Sequence, residues 1–307
     1  MKHQNTSPLF PLMILIGVAI ISCGKEGGMN HEPLDEKYIM EPGTGAADQF
    51  RYNFFTRYGT KMLFDFDKVD YFYSPTNTVD RHDSIRYITN PALHERALKF
   101  LNTHWLSFYP PAFKEKYLPR YIFIVDRLVD LVEDRITNSD SVKYAKSNAF
   151  SYVLAAGMGN RFDTIAVETK RRLRSELHYQ FLYSFVHAGL RLEVPEAFYE
   201  VTKTTYLSAR PTPLANDKSD YGPAGFLIPP GTAKPAAFPS RSEDFQLFLK
   251  FIIESDQATV DAYINPAAHS KVKQKYNILV SFYNSLGIDI RRIQSLDPEL
   301  PGTLTGF

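Results

Sequence analysis

The stretch ELHYQFLYSFVH, residues 176–187, sits inside a long amphipathic run. Leu173, Leu177, Phe181, Ser184 and Ala188 recur at helical spacing, so the run predicts one helix from about Thr164 to Leu190. Asp163 is placed to cap its start and Gly189 to end it. Side chains four apart share a helix face. That rule gathers Glu176, Gln180, Tyr183 and His187 on one side and sets Tyr179 one turn before Tyr183. His178 and His187 are nine residues apart. At ~100° per residue they point to opposite faces, ~13 Å apart along the axis, and cannot grip one ion together. Two readings of the face stay open. Tyr179 and Tyr183 are amphipathic core residues with bonded hydroxyls, or Glu176, Tyr179, Gln180, Tyr183 and His187 look into a cleft and bind something there.

Outward from this helix, the chain divides into strands before it and helices after it. Leu63, Phe64, Phe66, Val69, Tyr71 and Phe72 suit one or two strands within Lys61–Tyr73. Pro91 to Tyr109 reads as a helix with Leu93, Ala97, Leu98, Leu101 and Trp105 on one face, stopped by Pro110-Pro111. Strands are expected from Tyr121 and again over Phe150–Ala155. Beyond the central helix, Thr202 to Phe238 is rich in Pro, Gly and Ser and reads as an extended loop. Phe245, Phe248, Leu249 and Ile252 fit one further helix, and Val272, Tyr276, Leu279, Val280 and Tyr283 another. No internal repeat is visible. The expected class is α+β, with N-terminal strands and helices, one long central helix and a helical C-terminal part.

The first residues carry an address. Lys2 supplies a positive start, an apolar run spans Leu9 to Ile21, and Ile20-Ile21-Ser22-Cys23-Gly24 is similar to the lipobox of bacterial lipoproteins. The run is short of the ~20 apolar residues that cross a bilayer. Residues 1–22 are thus expected to be a signal peptide. Cys23 becomes the lipidated N-terminus, and residues 23–45, punctuated by Gly and Pro, form a flexible tether to a domain over 46–307. Lys25-Glu26 are a weak form of the charged stretch that sends some lipoproteins outward. Cys23 is the single cysteine, so no intramolecular disulfide forms and cysteine catalysis is excluded.

Composition is that of a globular domain: 44% hydrophobic, 22% charged, with 23 Phe and 19 Tyr. A net charge of +1 provides no field to recruit nucleic acid. Lys170, Arg171, Arg172 and Arg174 form a basic run that reads as a solvated face, with an acidic ligand as the alternative. Ala156-Gly157-Met158-Gly159-Asn160 reads as a turn, because the remaining dinucleotide fingerprint is missing. Trp105 reads as core rather than a sugar platform. No G-x-S-x-G elbow occurs, and no carboxylate pair, such as Asp65 and Asp67, can be assigned as a dyad.

Zinc proteases of the zincin class carry H-E-x-x-H on a helix, two histidines gripping zinc and the Glu activating its water. The chain resembles a family of zinc-binding metallopeptidase lipoproteins of Bacteroidota, some called substrate-import-associated zinc metallohydrolases. The likeness rests on the lipoprotein start and on His178-Tyr179-Gln180-Phe181-Leu182-Tyr183 against the family's H-H-E-F-x-H. Ser242-Glu243-Asp244-Phe245 is similar to the family's E-D-F-A-E, and the ending runs from Lys275-Tyr276-Asn277-Ile278-Leu279-Val280 to Gly287-Ile288-Asp289-Ile290. It implies a zincin-like fold, zinc, an outer-membrane location, and company with a TonB-dependent importer and its substrate-binding partner. The departures fall on the chemistry. Tyr179 and Tyr183 stand at the histidine ligands, Gln180 at the general base and Leu247 at the downstream Glu. A phenol of pKa ~10 is a poor zinc ligand at neutral pH, and an amide takes no proton from water. The expectation is an inactive zincin-like lipoprotein, without metal, that binds a peptide, glycan or partner protein. An active zinc-dependent metallohydrolase or peptidase with an atypical site and a non-enzymatic glycan-binding lipoprotein are the alternatives.

Overall fold

The structure, a computed structural model, describes residues 37–72, 83–130, 141–209, 220–228 and 237–304. Cys23, the expected signal segment and the first part of the expected tether lie outside these residues. By its internal contacts the chain divides into Met1–Ile39 and a body over Met40–Phe307. Every described helix and strand belongs to that body.

The architecture is mixed α+β. Helix α1 (Ala46–Tyr58) leads into β1 (Lys61–Leu63), then the short α2 (Lys68–Phe72) and β2 (Asp83–Arg86). The α2 turn replaces the second half of the strand expected over Lys61–Tyr73. Asp67 starts it by accepting the backbone N–H of Val69 through its carboxylate. A one-turn 3-10 segment (Pro91–Leu93) opens α3 (His94–His104), and α4 (Pro111–Tyr117) follows the predicted proline stop. Five strands come next: β3 (Tyr121–Ile124), β4 (Arg127–Asp130), β5 (Ser141–Lys143), β6 (Ala145–Ser147) and β7 (Tyr152–Ala155).

They build two sheets. One has the order β1-β3-β7-β6, with β1, β3 and β7 parallel and β6 antiparallel at the edge; the other is the antiparallel β2-β4-β5. The parallel strands explain their composition: β7 (Tyr-Val-Leu-Ala) is buried along its whole length, as a strand covered on both faces must be. Strands β5 and β6 are one bent segment that changes sheet at Tyr144. There the Tyr144 N–H is accepted by the Glu176 carboxylate at 2.8 Å. The glycine turn after β7 is a close crossing. Gly157 has φ +89°, and a Cβ on Gly159 would sit 1.7 Å from the Asp126 carboxylate.

The long helix is present, with three changes of detail. It starts with α5 (Val167–Tyr179), and Asp163 pairs with Arg96 at 2.5 Å instead of capping it. From Gln180 to His187 it winds as a π-helix, with Ala188 N–H bonding Tyr183 O and Arg191 N–H bonding Val186 O, five residues back. Leu190, not Gly189, takes the left-handed conformation at the end, with φ +56°. Gly189 is needed for a different reason: the Arg191 guanidinium passes over it to reach Phe185 O and Ala149 O, and a Cβ would meet Nη1 at 2.0 Å. After the short α6 (Glu196–Glu200) and α7 (Tyr221–Ala224), the C-terminal part is helical: α8 (Arg241–Glu254), α9 (Gln257–Ile264), α10 (Ser270–Ser285) and α11 (Arg292–Ser295).

The core lies between the mixed sheet, the central helix and α8–α10. Trp105, Tyr109 and Phe113 meet Phe181 edge-on, with Trp105 fully buried. No described helix is long and apolar enough to cross a membrane.

Candidate functional site

A cleft of about 1210 Å³ runs along the outer side of the central helix. One wall is the central helix, through Glu168, Arg172, Glu176 and Tyr179 of α5 and Gln180 at the start of the π stretch. The other walls are β5–β6, through Lys143, Ala145, Lys146 and Ser147, and the C-terminal end of α8, through Lys250 and Glu254. Three of the five residues expected on one binding face, Glu176, Tyr179 and Gln180, line it. Glu176 is fixed twice, by Arg172 Nε at 2.8 Å and by the Tyr144 N–H. Gln180 receives the Ser147 hydroxyl on its side-chain oxygen at 3.1 Å. The Tyr179 hydroxyl accepts a hydrogen bond from Gln246 Nε2 at 2.7 Å, and burial pushes its pKa up to about 12. It is a neutral phenol at any physiological pH.

Tyr183 and His187 lie elsewhere. Tyr183 stacks on Tyr179 at 5.3 Å and continues toward Phe245. His187 is buried, edge-on to Phe245 at 4.7 Å, with Nε2 bonded to the Tyr283 hydroxyl at 2.9 Å. The π winding is the physical reason. Each π step turns the chain less than an α step, so by His187 the side chain has fallen behind the face that α-helical spacing assigned it. Burial pushes the His187 pKa down to about 4. His178 is wholly internal: Nε2–H donates to His104 O at 3.0 Å, Nδ1 accepts from the Tyr109 hydroxyl at 2.7 Å, and burial drives the pKa to about 3. Both rings are neutral and internal; His178 has both nitrogens bonded, and His187 is held through Nε2.

The α8 segment similar to E-D-F-A-E is also absorbed by structure. Glu243 closes a capping box with Ser240. Phe245 packs on His187 and Tyr183. Asp244 forms a fully buried ion pair with Lys275 at 2.6 Å, and Tyr206 donates to the same carboxylate oxygen at 2.7 Å. Lys275 Nζ lies 4.4 Å from the centre of the Phe226 ring and 5.0 Å from that of Phe198. Leu247 packs, half-buried, against the core. Its neighbour Gln246, which no sequence motif singles out, is the α8 residue bonded to Tyr179. The signal available was spacing: Gln246 lies four residues before Lys250, a cleft residue on the same helix.

The donor set does not fit zinc. Among the described residues no group of three or more His, Cys, Asp or Glu side chains is gathered as a metal site requires. Tyrosine, glutamine and leucine occupy the positions that the resemblance assigns to ligands and base. The exposed face of the basic run also differs from expectation. Arg171 and Arg172 are exposed, whereas Lys170 is buried and Arg174 wholly so.

Among the described residues no strand pairs with the outer side of β6, which borders the cleft. Tyr144 and Asn148 bond to β7 through Ala156 N–H to Tyr144 O and Asn148 N–H to Tyr152 O. Antiparallel alternation therefore turns the N–H and C=O of Ala145 and Ser147 away from β7, on the side where both residues line the cleft. No family model matches the chain, and no curated protein matches it. Among solved structures it is similar to the crystal structure of a "putative zinc-binding metallo-peptidase" from Bacteroides caccae, with 15% identity and a TM-score of 0.48 over 81% of this chain and 89% of that one.

Proposed function

We propose that this protein is a cell-envelope lipoprotein, anchored in the outer membrane through Cys23, with a zincin-like scaffold whose metal and general-base positions have been replaced. It binds an extended peptide and does not cleave it, in association with nutrient import through the outer membrane. The observation that carries the binding reading is the unpaired edge of β6 along the cleft. An extended chain laid there would add a strand through the outward N–H and C=O of Ala145 and Ser147. Tyr179, Gln180 and Glu176 face the same space and supply side-chain contacts. The glycan reading has less to stand on. Trp105 is fully buried, and among the described large apolar residues that are exposed only Phe150 is aromatic.

The test is peptide binding by calorimetry. Proline at position 147 removes an outward N–H without breaking a β6–β7 bond. Ser147→Pro is expected to weaken binding at least tenfold, while Ser147→Ala, which loses only the hydroxyl contact with Gln180, retains it. Equal affinity in both variants overturns the edge-binding mode. Stoichiometric zinc together with peptidase activity in the purified protein overturns the inactive reading.

A further inference from the structure

Asp244 of α8 and Lys275 of α10 meet in a place closed to solvent. Both side chains are fully buried, and Lys275 Nζ lies 2.6 Å from Asp244 Oδ2. Four aromatic rings close around the nitrogen, with centres at 4.4 Å for Phe226, 5.0 Å for Phe198, 5.3 Å for Tyr206 and 5.4 Å for Phe248. The Tyr206 hydroxyl donates to the same Oδ2 at 2.7 Å. Asp244 Oδ1 is buried and has no hydrogen-bond partner. Among the described residues no acceptor other than Asp244 is bonded to the Lys275 ammonium.

This is a poor place for two ions. A buried pair offsets the cost of leaving water only when its remaining donors and acceptors are also bonded. Here one carboxylate oxygen and part of the ammonium are not. Burial pushes the carboxyl pKa up and the ammonium pKa down, toward one another. In water the two groups lie about 6.5 pKa units apart, so an amine facing a protonated acid is very rare. In this pocket the gap narrows, and one proton passed from Nζ to Oδ2 leaves both groups neutral. Those are the reactive forms for making an amide: a nitrogen with a free lone pair and an uncharged carboxyl carbon. A nitrogen this close to a carboxyl oxygen lies about 3–3.5 Å from the carboxyl carbon, the separation of a near-attack pair.

We propose that Lys275 and Asp244 join in an intramolecular isopeptide bond between Nζ and Cγ, a covalent staple between α8 and α10. The step balances within the pair. Nζ passes one proton to Oδ2. Its lone pair then forms the N–Cγ bond while the Cγ–Oδ1 π pair moves onto Oδ1. A second proton moves from nitrogen to the Oδ2 hydroxyl, the Cγ–Oδ2 bond breaks, and one water leaves as the carbonyl reforms at Oδ1. Tyr206 keeps its own proton and polarises the leaving oxygen. The bond joins positions 31 residues apart, which no disulfide can do in a chain with one cysteine. The ion pair is the reactant, so variants unable to close the bond report on the charges alone. The staple is separate from the peptide cleft and does not depend on that reading.

The test is tryptic digestion of the denatured full chain, read by mass spectrometry. An unlinked chain is cut after Arg241, Lys250, Lys275 and Arg291, and yields peptides 242–250 and 276–291. A linked chain resists cleavage after Lys275. It yields 242–250 joined to 274–291, lighter than their sum by one water. The linked species is expected in most wild-type molecules. Lys275→Arg keeps the charge but presents a guanidinium that stays protonated, and is expected to release 242–250 unlinked. Cleavage after position 275 in most wild-type molecules, or a link that persists in Lys275→Arg, overturns the proposal. Should Lys275→Arg fail to fold, fragment spectra of the wild-type linked species decide. A junction at Asp244 supports the bond, and a junction at the neighbouring Glu243 overturns it.

Discussion

Lowering the pH is the sharpest probe of how the two histidines of the central helix are used. The ring of His178 is fully buried with its pKa pushed down to about 3, and that of His187 is pushed down to about 4, both by burial. In the unfolded chain each titrates near 6.5. A histidine whose folded pKa lies below its unfolded value takes its proton only on unfolding in the interval between them. Its contribution to stability is complete above pH ~6.5 and is lost as pH falls toward the folded value. At pH 5 the loss is about 2 kcal/mol for each ring, from 1.36 kcal/mol per pH unit over ~1.5 units. The pair therefore removes about 4 kcal/mol between pH 7 and 5, a large part of the ~5–15 kcal/mol typical of a domain. His104, also lowered by burial, acts in the same direction. Urea unfolding at pH 7, 6 and 5 measures the loss, and His187→Phe should flatten the dependence by close to half. The imidazole resonances of His178 and His187 should show neutral rings down to pH 5. A loss under ~1 kcal/mol, or a ring at 178 that titrates above pH 5.5 in the native state, would refute the assignment of these histidines to the core.

Removing one partner of the buried Asp244–Lys275 pair, as in Lys275→Met, should destabilise by about 3–5 kcal/mol, because the Asp244 carboxyl, whose pKa burial already raises to about 6, is left in the core without its counter-ion. Adding Asp244→Leu should recover much of the loss, read as the denaturation midpoint. Gly189→Ala should cost roughly 1–3 kcal/mol, since the new methyl meets the Arg191 guanidinium and Phe185 O; a neutral thermal midpoint would count against that crossing. For the proposed zincin-like scaffold, Tyr179→His, Gln180→Glu and Tyr183→His combined with Gln246→Glu should create zinc binding measurable by competition with a chelator. The same set with Leu247→Glu in place of Gln246→Glu should bind more weakly, because Gln246 is the residue that reaches Tyr179. Equal affinities would restore the alignment that places Leu247 at the site.

Much of the fold could be read along the chain wherever one local rule dominates. The helix over His94–His104 follows from its apolar spacing and its proline stop, α8 and α10 from their stripes, and β3 and β7 from short apolar runs. The segment Lys61–Phe72 could not be read this way. Its apolar residues satisfy either period over so short a length, and the Asp67 turn chose helix for the second half. Strands β2, β4, β5 and β6 are not visible in the sequence because they are too short and too polar to show an apolar alternation, and β2 finds its partner β4 only across a long stretch of chain.

The candidate site divides in the same way. Sequence alone placed Glu176, Gln180 and the tyrosines on one helix and separated His178 from His187, since backbone spacing decides both. It also put an amide and two phenols at the positions that the resemblance assigns to base and ligands, which is a matter of residue identity. The tertiary structure decided which of these residues meet solvent. A π turn carried His187 from the expected face into the core, the bend at Tyr144 drew Glu176 to the edge of β6, and packing beneath Leu296 turned Arg174, one residue of a basic run, into a buried charge. Each depends on winding or on contacts between residues far apart in sequence. No local pattern encodes them, because their energy exists only once the chain has closed around them.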